Sequence, residues 1–159
     1  EVMRINTNGI VTKPYQYMFT VETNGTSKTA NWSKITGLTP DANQCTGVSD
    51  GTNWSNSTQR FTAPVTGRYQ FSTGIYLYNY LDNEAGYLYF AIVTSNETYD
   101  FPTQSSIFGS DIGTFTMQGS ALADLDAGDT AYVHIYQQGG TAQATISHGH
   151  TFFTGFLAC

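Results

Sequence analysis

Charge is scarce in this chain. Asp, Glu, Lys and Arg make up 11% of its 159 residues, well under the usual quarter. Six residues are basic (Arg4, Lys13, Lys28, Lys34, Arg60 and Arg68) against twelve acidic ones. The basic residues are scattered and form no stripe that could neutralise phosphates, which predicts no nucleic-acid partner. The net charge of −6 reads as a solubility feature. Cysteine is nearly absent: Cys45 and Cys159 are the two. There is no CxxC pair, and two thiols cannot cage a zinc ion alone. Their spacing leaves a disulfide and a pair of thiols both open. No apolar run approaches the roughly 20 residues of a membrane-spanning helix, so no membrane insertion is predicted. A signal-peptide pattern is missing too. Helix-building Leu, Glu and Lys are sparse, and no segment has a helical period. A nucleophile elbow, a Ser–His–Asp motif and a phosphate-binding glycine loop are all lacking. The carboxylates are scattered, with nothing pointing to a glycosidase pair. No enzyme activity, catalytic residue or cofactor is predicted.

Aromatic residues are what the chain has in surplus, at 14%, with eleven tyrosines and ten phenylalanines. Together with abundant Gly, Ser, Thr and Asn, this is a strand-and-turn composition. The length suits one domain. Residues 1–13 read as a lead-in segment, with a turn at Asn8-Gly9. The opening Glu1-Val2-Met3 predicts a piece of a longer protein. Pro14 marks the entry to a head domain over 14–159. A first strand is expected from Tyr15 to Glu22, then short strands and long loops over 23–58.

From Arg60 the alternation is clear. Tyr69, Phe71, Thr73, Ile75 and Leu77 share one face of a strand and read as core. Gln70, Ser72, Gly74, Tyr76 and Tyr78 share the other. Gly86 to Thr94 is apolar on both faces, which predicts cover on both sides, one from the other sheet and the second open, with a neighbouring subunit as a candidate. Further strands are expected over Gly113–Leu125, Thr130–Tyr136 and Thr151–Ala158. Val133 and Ile135 oppose Tyr132, His134 and Tyr136. Such turn-marked spacing indicates an all-β sandwich or jelly roll.

Three motifs carry a resemblance to a known family. Phe61-Thr62-Ala63-Pro64-Val65-Thr66-Gly67-Arg68-Tyr69-Gln70-Phe71 resembles the signature of the C1q-like globular head, which is related to the tumour-necrosis-factor jelly roll. Leu125-Asp126-Ala127-Gly128-Asp129 resembles its Leu-x-x-Gly-Asp turn. Phe153-Thr154-Gly155-Phe156-Leu157 resembles its closing strand. Arg68 stands where relatives often carry an apolar residue. The resemblance implies a ten-stranded jelly roll, a homotrimer and a binding role. Residues Glu1–Asn6 and Gly9–Gln16 are similar to the lead-in of such heads in phage tail-fibre and virion-surface proteins. This second likeness implies a receptor-binding fibre knob on the virion surface. It would attach to a host-surface glycan or protein and join the rest of the fibre through its N-terminal side. A capsid decoration or cement protein and an extracellular complement-type head are the alternatives.

Candidate site residues follow. Tyr76, Tyr78, Tyr132 and Tyr136 are expected at the trimer interface, because aromatic rings are favoured in interface cores. Rings covering the second sheet, or rings open to a glycan, are the other readings. The sequence places no ligand-binding residue. His148-Gly149-His150 on an extended segment would put both imidazoles on one side, and Asp124, Asp126 and Asp129 cluster at a turn. Both sets read more simply as loop and turn chemistry, so no metal is predicted. His134 reads as a packing residue. Trp32 and Trp54 lie in polar loops, open between sugar stacking and packing under the loop. The sequons at Asn24, Asn31, Asn53, Asn56 and Asn96 read as accidents of composition.

Overall fold

A computed structural model of the chain describes residues 4–5, 7–9, 11–12, 17–23, 27–28, 33–40, 53–81, 86–104, 108–140, 145–146 and 149–158. Cys45, Cys159, Trp32, His148, Asn24 and Asn31 lie outside them. In chain order the strands are β1 (Arg4–Ile5), β2 (Val11–Thr12), β3 (Met18–Thr23), β4 (Ser27–Lys28), β5 (Ser33–Lys34), β6 (Leu38–Pro40), β7 (Trp54–Ser55), β8 (Arg60–Thr62), β9 (Gly67–Leu81), β10 (Tyr87–Thr94), β11 (Thr98–Thr103), β12 (Ile112–Leu125), β13 (Thr130–Gln138), β14 (Thr145–Ile146) and β15 (Phe152–Leu157).

Ten of these strands form two five-strand antiparallel layers. One runs β12-β9-β15-β3-β6 and the other β11-β10-β13-β8-β7. The chain crosses repeatedly between them, as a jelly roll does. β14 and β4 extend the first layer beside the far half of β9, and β5 pairs with β13 in the second. β1 and β2 pair with each other in a separate two-stranded sheet. β11 gave no signal in the sequence. Pro102 lies within it, and its exposed and half-buried residues alternate; proline is tolerated there because β11 is an edge strand.

β9 organises the first layer. It pairs with β12 along nearly its whole length, and its other side meets β15 and then β14. The five inward residues expected of it, Tyr69, Phe71, Thr73, Ile75 and Leu77, are all buried. Opposite them, β10 and β13 turn Leu88, Phe90, Ile92, Ala131, Val133 and Ile135 into the same core. Rings from both layers meet at its centre. Phe19 stacks on Phe61 with centroids 4.6 Å apart, and Phe71 stacks on Phe153 at 5.6 Å. Trp54 belongs here rather than to a loop surface: it is buried, lies 5.7 Å from Phe19, and its Nε1 donates to Leu38 O at 3.3 Å.

The three sequence motifs interlock. Ala63 N donates to Asp129 O at 2.7 Å, and Gly128 N donates to Ala63 O at 2.8 Å. Gly128, at φ 98°, takes the left-handed conformation that this turn needs. Tyr69 Oη donates to Val65 O at 2.8 Å. Gly155 lies directly against the rings of Phe71 and Phe19; a Cβ there would sit 2.5 and 2.7 Å from their carbons. The Gly155→Ala variant should therefore lose about 1–3 kcal/mol by overpacking. Gly113→Ala, where a Cβ meets nothing within 4 Å, should be near neutral. Urea denaturation of the two variants checks this pair.

Candidate functional site

Strand alternation gives the sandwich two outward faces with different chemistry. On the first layer, the register sets side chains in rows across β12, β9, β15 and β3. Leu122, Gln70, Phe156 and Met18 make one row, and Ser120, Ser72, Thr154 and Thr20 the next. Gln118, Gly74, Phe152 and Glu22 follow. Thr116 with Tyr76, and Thr114 with Tyr78, end the series. Leu122 and Phe156 are 48% and 38% exposed, unusually open for large apolar side chains within strands. Between the apolar ends lies a hydroxyl row, joined by a 3.0 Å bond between the Oγ1 atoms of Thr20 and Thr154. Gly74 has no side chain because the Phe152 ring occupies that space, 2.5 Å from where a Cβ would stand. Tyr76 and Tyr78 are half-buried here, and the His150 ring packs 5.3 Å from Tyr76.

The second layer faces outward with a wall of rings and cations. Tyr89 of β10 lies opposite Tyr136 of β13, with ring centroids 5.0 Å apart. His134 meets Tyr132 edge-on at 5.2 Å. Arg60 Cζ lies 4.5 Å from the Tyr132 centroid, and Lys34 Nζ lies 5.6 Å from it. The turn before β8 braces this corner. Gln59, at φ 52°, is held there by its own amide: Leu38 N donates to Oε1 at 2.8 Å, and Nε2 donates to Asn56 O at 2.6 Å. Lys34 Nζ donates to Thr58 O at 2.6 Å. Burial and the neighbouring Arg60 charge hold the Lys34 pKa below its ordinary value. Burial, then Lys34 and Arg60, lower that of His134.

The four tyrosines expected at one interface are thus divided. Tyr76 and Tyr78 lie on the first layer, Tyr132 and Tyr136 on the second, facing opposite ways. The reason is topological: β9 and β13 belong to different sheets, which no strand pattern reveals. Nor are the basic residues uniformly scattered in space. β5 and β8 both pair with β13 and bring Lys34 and Arg60 together. On β10, Ala91 faces outward yet is fully buried within the single chain, while Tyr87 stays 51% exposed.

The carboxylate cluster is occupied by the protein's own donors. Arg68 Nε and Nη2 bind the two Asp124 oxygens at 2.7 and 3.0 Å, and this hydrogen bonding lowers the Asp124 pKa. Asp129 Oδ2 accepts from Asp126 N at 2.8 Å and from Asn96 Nδ2 at 3.0 Å. The Asn96 sequon amide is therefore engaged in the turn. A shallow notch of about 480 Å³ lies between Arg68, Asn96 and Asp126. No group of three or more His, Cys, Asp or Glu side chains arranged for a metal occurs among the described residues. Gly149, at φ 72°, and His150 sit in a turn, while His148 lies outside the described residues.

A family model described as "C1q domain" matches residues 19–158. Among solved structures, the globular domain of zebrafish complement 1qA protein is similar at 20% identity and TM-score 0.60, covering 90% of this chain and 98% of that one. Eiger TNF from S. frugiperda is similar at 15% identity and TM-score 0.69, covering 91% and 93%. Murine APRIL is similar at 10% identity and TM-score 0.61, covering 90% and 99%. No curated protein matches the chain by sequence.

His134 yields a pH prediction. Its folded pKa lies below the ordinary value of about 6.5, so below that pH the unfolded chain takes up the proton more readily. The native state should lose stability as pH falls from about 6.5 through the lowered pKa, with no His134 contribution to the slope above that window. Asp100 lies level with His134 on the same face, beyond Ala91. Urea midpoints at pH 7.5 and 5.5 check this: His134→Gln should flatten the drop seen in the parent.

Proposed function

The chain belongs to the C1q domain family, and from that premise we propose that it is the trimeric, receptor-binding head of a phage tail fibre. In this reading residues 1–13 lead in from the rest of the fibre and residues 14–159 form the displayed head. The outward face of the β12-β9-β15-β3 layer is the self-association surface. The observation that carries this assignment is the exposure of Leu122 and Phe156 there, on the same sheet face as Tyr76 and Tyr78. A closed ring of three needs two unlike surfaces per subunit. The groove of about 440 Å³ between the β11 and β12 edges, lined in part by Phe90, Phe101, Phe115 and Met117, suits the second role. Tyr132 and Tyr136 then belong to the opposite, ligand-facing side.

Family membership fits an extracellular complement-type head equally well; the likeness of residues 1–16 to fibre lead-ins favours the virion surface. No catalysis forms part of the reading.

Light scattering of the purified head should give about three times the 17.4 kDa chain mass. Leu122→Asp with Phe156→Asp should shift it to monomer while retaining the β-sheet circular dichroism signal, because both side chains are already exposed in the single chain. A monomeric parent would remove the trimer. Excess head should also block adsorption of the parent virion to its host; undiminished adsorption would count against the attachment role.

A further inference from the structure

The wall on the second layer has chemistry that trimer formation leaves unused. In a chain of net charge −6, two of the six basic side chains converge on one tyrosine ring. Neither Lys34 nor Arg60 meets a carboxylate among the described residues, whereas Arg68 is committed to Asp124. Two like charges held 5.6 and 4.5 Å from one ring centroid repel each other. The fold holds this strain in place through the turn at 55–59, where Lys34 is tied to Thr58 O. A braced positive corner with no carboxylate partner among the described residues is complementary to an anion.

The ground beside that corner narrows the choice of anion. Tyr132, Tyr136 and Tyr89 are partly exposed and run in sequence away from the cations, and Tyr87 continues them at the open edge. Each ring presents a hydroxyl and an apolar face, the combination that packs against a sugar ring. Asp100 on the same face stands about 14 Å from Lys34, three strand spacings away; it neighbours Tyr89, at the end of the wall opposite the cations. The cavities described in this molecule are lined by other residues. The wall is open along its strands and fits an extended ligand. Two cations are too few for a nucleic-acid backbone.

We propose that this wall binds an acidic polysaccharide, with Arg60 and Lys34 holding a sugar carboxylate and Tyr132, Tyr136 and Tyr89 stacking on successive sugar rings. The assignment rests on the reading of the head as a binding module and names the ligand class that it takes.

Titration calorimetry with an oligogalacturonate of about six residues tests it. The head should bind, and about 0.5 M NaCl should weaken the complex by screening. The fully methyl-esterified oligosaccharide, alike in shape and uncharged, should bind at least tenfold more weakly. Arg60→Gln with Lys34→Gln should cost tenfold or more for the acid form, and Tyr136→Leu several-fold. The esterified probe needs no variant, so the test survives a misfolded mutant. Equal binding of both probes, equal binding of a glutamate hexapeptide, or no binding of the acid would each overturn the proposal. The assay involves no host, so a failure to block adsorption leaves it standing. The variant Leu122→Asp with Phe156→Asp, altered on the opposite face, should bind with unchanged affinity per chain.

Discussion

The whole molecule depends on ring packing between two sheets. Phe19, Phe61, Phe71 and Phe153 come from four different strands, and their contacts run from one layer to the other. Such packing tolerates no additional atom where rings approach a backbone, which is why position 155 is glycine. The same constraint explains why the three family motifs lie where they do. One supplies Phe61, Tyr69 and Phe71, one supplies Phe153 and Gly155, and the third closes the end of the sandwich through backbone bonds to Ala63. The motifs are parts of one contact rather than three separate marks.

With the inward positions committed to that core, the outward ones are free to differ. β9 and β12 use theirs for exposed apolar groups around a hydroxyl row; β10 and β13 use theirs for tyrosines and a cationic corner. The period of two along each strand separates these tasks cleanly. A substitution on either outward face can alter one surface without reaching the rings beneath or the face behind.

Legibility in the sequence followed the same division. The core face of β9 could be read directly, because strict alternation from Tyr69 to Leu77 has one physical meaning. The jelly roll was legible from the motif order. β11 was not, since Pro102 and Asp100 break the apolar pattern of an edge strand. Trp54 stayed open between sugar stacking and packing for a related reason: it is bounded by Asn53 and Ser55 and looks like loop, yet it reaches Phe19 through a pairing of β7 with β8 that only the fold creates. The cationic corner was invisible. Lys34 and Arg60 meet because two short strands dock on the same edge of β13, and no spacing along the chain encodes a shared edge.

The position of β15 has a consequence in time. It follows every other described strand in the chain, yet it lies between β3 and β9 in the middle of its layer. During synthesis β3 and β9 emerge well before the strand that joins them, so the first layer cannot close progressively from its N-terminal side. Until β15 arrives, both partners expose unpaired edges, the condition in which strands pair with the wrong chain. The polar, lightly charged segments around them then matter for keeping the nascent chain dispersed, and completion of the head becomes a single late event with a large loop-closure cost.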